Sequence, residues 1–337
     1  REEVESMKGY IRLNTNESPF SPSPKAIASA LKAAETLNYY PDPDCSQLAE
    51  KLSRMLDIPS SNIVFGNGSD EILSFIFMAF CEHGAVFPDI TYSFYKILAG
   101  LHGVSYLTVP LRDFRVLTED YTDLRGRTVF LANPNAPTGI ALDTGELELI
   151  IQSNPESLIV IDEAYVDFGA KSAVRFINKY PNVCVVRTFS KSCSLAGGRL
   201  GWCMCNDELA KDRTVKNAIA PYNVNAMTQA AALGSLDDME YIRRNISVIC
   251  HVRDNTRSML EGMGFEVLNS SANFLFVKHK SISGRKIFDE LKRYKIIIRH
   301  FSEPLALDEW NRITIGTPEQ MQVLLEVMKG VVDREAC

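Results

Sequence analysis

The sequence predicts an α/β protein: a mostly parallel sheet covered by helices on both faces, followed by a smaller α+β unit. Two observations carry that expectation. Short runs rich in β-branched and aromatic residues, such as NIVF (62–65), TVFLA (128–132) and SLIVID (157–162), alternate with stretches of helical length. The runs are nearly unbroken rather than alternating with polar residues, as strands covered on both faces should be. From about residue 207 the style changes to consecutive helical segments and then to an α+β succession.

In order along the chain, the Pro/Ser-rich arm LNTNESPFSPSP (13–24) precedes a helix that starts near Pro24. After NIVF, Ser69 is expected to cap an apolar helix running to Cys81, with Glu71 early in its first turn. GAVFP (84–88) is a second strand, 92–102 a helix, and VSYLTV (104–109) and TVFLA further strands. A helix near 143–153 leads to SLIVID, and one near 172–180 leads to NVCVVRT (182–188). Helices are expected at 207–219, 226–236 and 238–262. Then come the strand NFLFVK (273–278), a helix at 283–294, the strands KIIIRH (295–300) and RITIG (312–316), and a closing helix from Pro318. The expected organisation is an arm and first helix (1–37), a large domain (38–240) and a small C-terminal α+β domain (241–337).

Composition narrows the function. Lys plus Arg is 36 against Asp plus Glu 42, so a net charge of −6 gives no electrostatic reason to expect nucleic acid or an anionic membrane. The longest apolar stretch, ILSFIFMAFC (72–81), is about half a membrane span, and REEVESMKGY at the start has no signal-peptide core. Eight cysteines form no CxxC pair, most sitting in apolar runs such as VCVV and WCMC, and the five histidines are scattered. A cytoplasmic, reduced protein without a metal site is the expectation.

In an open α/β sheet, ligands gather at the carboxyl ends of the strands, so the residue following each strand is informative. After NIVF comes GNGSDE (66–71): glycines and then a helix N-terminus, a natural phosphate seat at Ser69 and Asp70. It is not a dinucleotide fingerprint, because Glu71 stands where the third glycine of GxGxxG belongs. After TVFLA comes NPNAPTG (133–139). After SLIVI comes Asp162, with Tyr165 three residues on. After NVCVVRTF come Ser190 and Lys191, and then Arg199. Each feature alone has an ordinary structural use: a turn, a helix cap, or an ion pair between Asp162 and Lys191. Together, at one end of one sheet, they form the set a pyridoxal phosphate site needs: an amine for the Schiff base, an acid for the ring nitrogen, a phenol for the ring oxygen and donors for the phosphate. An imine-forming lysine must shed its proton, which a desolvated strand end and a nearby cation favour. Gly197 and Gly198 are expected to let the backbone approach the ligand.

RTFSKSCSLAGGRLGW (187–202), IDEAYVDF (161–168), NPNAPTG, GNGSDE, YYPDPD (39–44) and LNTNESPF (13–20) also resemble, in order and over residues 10–330, the fold-type I pyridoxal-phosphate aminotransferases, and within them the histidinol-phosphate aminotransferase family. The resemblance implies roles for particular residues. Lys191 carries the cofactor, Asp162 holds the ring nitrogen protonated and Tyr165 bonds the ring hydroxyl. Gly68, Ser69, Asp70, Ser190 and Arg199 surround the phosphate, and Tyr92 stacks on the ring. Tyr40 reaches across a homodimer interface to the partner's cofactor phosphate. Asn16, Arg299 and Arg312 face the substrate, for which the family implies histidinol phosphate with 2-oxoglutarate and glutamate as the other pair. The family usually has Asn directly before PTG; Ala136 stands there, leaving Asn135 as a weaker candidate for the ring oxygen. The alternatives are a threonine-phosphate decarboxylase or another aminotransferase of this fold, a regulator built on it, and an α/β binding protein without cofactor. No added DNA-binding domain argues against the regulator, and the yellow colour of a pyridoxal enzyme separates the last class from the enzymes.

Overall fold

The computed structural model describes residues 9–206, 209 and 220–335, so the helix expected at 207–219 lies, apart from Leu209, outside the described residues. Strand β1 (Ile11–Leu13) comes first, followed by helix α1 (Pro24–Ala34). The hydroxyl of Ser23 accepts the Ala26 N–H, and Pro24 occupies the first turn, where no amide is needed. Helix α2 (Ser46–Leu56) buries Leu48, Ala49 and Leu52, and leads to β2 (Ile63–Gly66).

Helix α3 (Ser69–Phe80) begins differently from the sequence expectation: Ser69 is its first helical residue, and Gly68, at φ 89°, is the cap. A glycine cap has no side chain to spend on the first-turn amides, so they stay open to a ligand. Next come β3 (Ala85–Pro88), α4 (Phe94–His102), β4 (Tyr106–Val109), β5 (Thr128–Ala132), α5 (Thr144–Ser153) with a capping box of Asp143 and Glu146, and β6 (Ile159–Asp162). The helix expected at 172–180 is only a 3₁₀ turn, Ala173–Phe176. Pro181 disfavours helical backbone at Tyr180, so the segment ends there before β7.

Strand β7 (Val183–Thr188) is followed by β8 (Gly201–Cys205), the WCMC run that the pattern did not mark as a strand. The remaining elements are α6 (Ala226–Leu236), α7 (Met239–Gly262), β9 (Phe265–Val267), β10 (Phe274–His279), α8 (Gly284–Arg293), β11 (Ile296–His300), β12 (Asn311–Thr314) and α9 (Pro318–Glu335). We propose that the chain passes from its large to its small domain where α7 begins.

The large sheet has the order β2-β8-β7-β6-β5-β3-β4. Only β8 runs against the others, pairing antiparallel with both β2 and β7. The parallel register of β5, β6 and β7 sets Ala132, Asp162 and Val186 side by side, so the residues that follow these strands emerge along one edge. One face packs Leu131, Ile161 and Val185 into a core with α2 and α5, and the other packs Phe130, Val160 and Val186 under α3 and α4. The small sheet has the order β1-β11-β12-β10-β9. Its parallel β1–β11 pair (Ile11↔Ile296 to Leu13↔Ile298) anchors the arm, so residues 14–17 leave that sheet beside the cleft.

Candidate active site

A cleft of about 970 Å³ opens at the carboxyl edge of the large sheet and is closed on its far side by the arm and the small sheet. It is lined by Asn16, Ser69, Asp70, Tyr92, Asp162, Tyr165, Ser190, Lys191, Arg199, Arg299 and Arg312. Eleven of the fourteen residues singled out in the sequence therefore meet in one place.

Asp162, the last residue of β6, is buried in the cleft wall. Its Oδ2 accepts from the Tyr95 hydroxyl (2.9 Å) and its Oδ1 from the Ala164 N–H (3.2 Å). Burial pushes its carboxyl up to about 6; the Tyr95 and Ala164 bonds oppose that, Asp70 adds to it and Lys191 counters it. Lys191 is half-buried, its Nζ 3.4 Å from the Thr15 carbonyl and 5.8 Å from the centre of the Tyr165 ring. It has no carboxylate partner within ion-pair distance among the described residues, which removes the alternative of a plain Asp162–Lys191 salt bridge. The Tyr165 hydroxyl accepts from Asn16 Nδ2 (2.9 Å).

At the other end of the cleft, Arg199 Nη2 and the Tyr92 hydroxyl both reach Asp70, on Oδ2 (3.4 Å) and Oδ1 (2.8 Å). A Cβ at Gly68 would stand 2.5 Å from Arg199 Nη2, and one at Gly201 only 2.2 Å from the Ser69 amide nitrogen. Two glycines thus allow β8, the Arg199 turn and the start of α3 to converge on uncapped amides. Gly197 and Gly198 do not serve the close approach expected of them: a Cβ at Gly197 meets nothing, and one at Gly198 makes ordinary contacts.

Arg299 and Arg312 are opposite each other in the β11–β12 register. Arg312 is half-buried, donates from Nη2 to the Asn14 carbonyl (3.0 Å) and packs over Phe274 and Phe301; its Nε, itself buried, has no partner. Burial lowers its basicity, and Arg299 lowers it further. Neither guanidinium pairs with Glu303 or Asp308; Asp308 faces His300 instead (3.4 Å). Like charges set opposite in a sheet repel, an arrangement suited to a shared anion.

Three expected residues lie elsewhere. Gly68 is adjacent to the cleft, through its contact with Arg199. Asn135 is turned away: its Nδ2 donates to the Ile90 carbonyl (3.0 Å) and Thr138 (3.1 Å), and its Oδ1 accepts from Thr91 (2.7 Å). Its amide is used up holding the loop together. Ala136 lines the cleft as an apolar surface against Tyr165 and Phe274. Tyr40 is 82% exposed and stacks on Tyr222 (4.6 Å), away from its own cleft. Missed in the sequence were Tyr95, whose one-turn offset from Tyr92 was the available signal, and Asn14 and Thr15, which contribute only carbonyls here.

The model for class I and II aminotransferases matches residues 8–328. The chain belongs to that family. Among its relatives, the histidinol-phosphate aminotransferase of Brachyspira hyodysenteriae is 40% identical over 96% of this chain and 93% of its own length. That of Marinomonas sp. is 41% identical, with the same shares covered. The structure of histidinol-phosphate aminotransferase from Sinorhizobium meliloti in complex with pyridoxal 5′-phosphate superposes with a TM-score of 0.87 at 29% identity, covering 96% of this chain and 91% of that one. The cofactor of the family is pyridoxal 5′-phosphate, and the cleft fits it. Open amides at Ser69 and Asp70, the glycine cradle, a buried carboxylate, a phenol and an unpaired lysine are the donors and acceptors that this molecule requires. No group of His, Cys, Asp and Glu among the described residues could hold a metal ion, and no described helix is long and apolar enough to cross a membrane.

Proposed function

We propose that this chain moves an amino group between histidinol phosphate and 2-oxoglutarate, giving imidazole acetol phosphate and glutamate. The observation that carries the substrate is the pair Arg299 and Arg312, opposed in register at the cleft with no acid between them. Bound pyridoxal phosphate supplies an electron sink for the carbanion left when the substrate Cα–H bond breaks. The protein does the rest. Lys191 Nζ would hold the cofactor and would be the base that takes the proton from the substrate Cα. Asp162, held from behind by Tyr95 and Ala164, would meet the ring nitrogen as a carboxylate and favour its protonated form. Tyr165, oriented by Asn16, donates toward the ring oxygen, with no contribution from position 136. Ser69, Asp70, Ser190 and Arg199 hold the cofactor phosphate, while Arg299 and Arg312 bind the substrate phosphate through paired N–H donors. Phe301 and Leu307 form the apolar wall against water.

We infer in addition a cytoplasmic homodimer. Tyr39 and Tyr40 are 72% and 82% exposed, beside Leu31 and Leu37 at 65% and 53%. Exposed apolar side chains of this size suit a protein interface, and a partner subunit covering them would bring Tyr40 to a second cleft. The deciding experiment mixes the pyridoxal-loaded protein with a panel of amines and follows loss of the long-wavelength cofactor band. Histidinol phosphate should discharge it fastest, with glutamate formed once 2-oxoglutarate is added. Carbon dioxide released from threonine phosphate, with no glutamate, would replace this reading with the decarboxylase.

A further inference from the structure

Tyr95 stands behind the cleft rather than in it. It is fully buried in α4, with its ring 5.8 Å from Phe87, 5.6 Å from Phe130 and 5.6 Å from Tyr92, the last edge-on at 90°. A phenol enclosed by aromatic rings must find an acceptor, and here that acceptor is Asp162 Oδ2 at 2.9 Å. We propose that Tyr95 is a positioning residue for the transamination: its hydroxyl fixes the orientation of the Asp162 carboxylate so that the acid meets the ring nitrogen of the cofactor. This rests on the aminotransferase reading above.

The physical case has three parts. Asp162 has two oxygens and receives one protein donor on each, Tyr95 on Oδ2 and the Ala164 amide on Oδ1. The amide is part of the main chain and stays in any side-chain variant; Tyr95 is the removable half of the clamp. Second, the tyrosine cannot act as an acid, because burial first, and then the Asp162 charge, holds its hydroxyl far above the ordinary phenol range. It is therefore a permanent donor. Third, burial drives Asp162 toward its neutral form, in which it no longer stabilises a protonated ring nitrogen, and the Tyr95 bond is the largest influence in the other direction. The remaining groups facing this pair are Asp70 at the start of α3, Lys191 after β7, Tyr92 ahead of α4 and Tyr165 after β6. Of these only Lys191 favours the ionised acid.

The test uses Tyr95→Phe, which keeps the ring and its packing, and Asp162→Ala, singly and together. In the apoprotein, the carbon-13 signal of the Asp162 carboxyl reports its titration; the midpoint should rise by about one unit in Tyr95→Phe. In the holoprotein, pyridoxal phosphate should dissociate about tenfold more readily, and the pH below which affinity is lost should move upward. In the Asp162→Ala background, adding Tyr95→Phe should change neither affinity nor its pH profile. An unchanged midpoint, or an equal loss of affinity with and without Asp162, would overturn the proposal, the latter meaning that Tyr95 only supports the fold. Failure of the wild-type protein to bind pyridoxal phosphate would instead remove the aminotransferase reading, and the apoprotein titration would still judge the Tyr95–Asp162 clamp. If Tyr95→Phe does not fold, 3-fluorotyrosine at position 95, a stronger donor of the same shape, should lower the midpoint; a rise would overturn the proposal.

Discussion

Removing Arg299 should pull stability and activity in opposite directions. In the register of β11 and β12, Arg299 is directly opposite Arg312, and no carboxylate among the described residues pairs with either. Two unit charges roughly 7 Å apart at an effective dielectric constant near 20 repel by roughly 2 kcal/mol. Arg299 is exposed, so solvent screening reduces this to about 1 kcal/mol. Arg299→Ala should therefore raise the melting temperature of the protein, in buffer free of multivalent anions, by about 2 °C. On the proposed reading, the same substitution removes one of the two guanidiniums that hold the substrate phosphate. Truncating one partner of a hydrogen-bonded charge pair costs about 2–5 kcal/mol, and for an exposed arginine the lower end applies. At about 1.4 kcal/mol per factor of ten, kcat/KM for histidinol phosphate should fall by roughly thirty- to hundredfold. Dephosphorylated histidinol, which never used the contact, should react as before. The assay is single-turnover discharge of the cofactor band with both amines, beside melting curves with and without inorganic phosphate, whose stabilising effect should shrink in the variant. Equal losses for histidinol and its phosphate ester would refute the anion assignment. A lower melting temperature without anion would refute the repulsion.

Further outcomes follow from other residues. Lys191→Ala should still bind pyridoxal phosphate, but without the protein-linked absorbance band, and turnover should drop by several orders of magnitude; near-native rates would exclude the assignment. Asp162 in the folded apoprotein holds its proton up to about pH 6, whereas the unfolded chain releases it near 3.8. Its contribution to stability is therefore complete below pH 3.8, declines between 3.8 and 6 and is lost above that, a span of about 3 kcal/mol. Asp162→Asn cannot titrate, so the melting temperature of the wild-type apoprotein should fall relative to that of the variant as pH rises from 4 to 6.5; parallel curves would contradict the buried acid. If sites are shared between subunits, mixing inactive Lys191→Ala and Tyr40→Phe chains should restore part of the activity, and a monomer without complementation would reject the dimer.

Much of the site was legible because strand ends in a parallel sheet converge, so the residue after each buried run is a local signal with a tertiary meaning. Lys191, Asp162, Ser69, Asp70 and Arg199 could be named from that rule and the chemistry of their side chains alone. The alternation of apolar runs with helical segments gave the layered fold for the same reason: burial on both faces leaves a pattern along the chain. What the sequence left open depended on partners far away in the chain. Nothing local marks Ile11–Leu13 as a strand, because its pairing partner is Ile296–Ile298. Nothing local tells that the Asn135 amide is taken up by Ile90, Thr91 and Thr138 while Ala136 faces the cleft. Gly197 and Gly198 looked like the positions of close approach, yet Gly68 and Gly201 hold that place, since only the crossing of β8 over the start of α3 decides which Cβ would collide. Tyr95 read as one aromatic among many in an apolar helix until packing set its hydroxyl against Asp162. Side-chain chemistry and strand periodicity are written residue by residue and survive in the sequence; who meets whom across the layers is fixed only by packing.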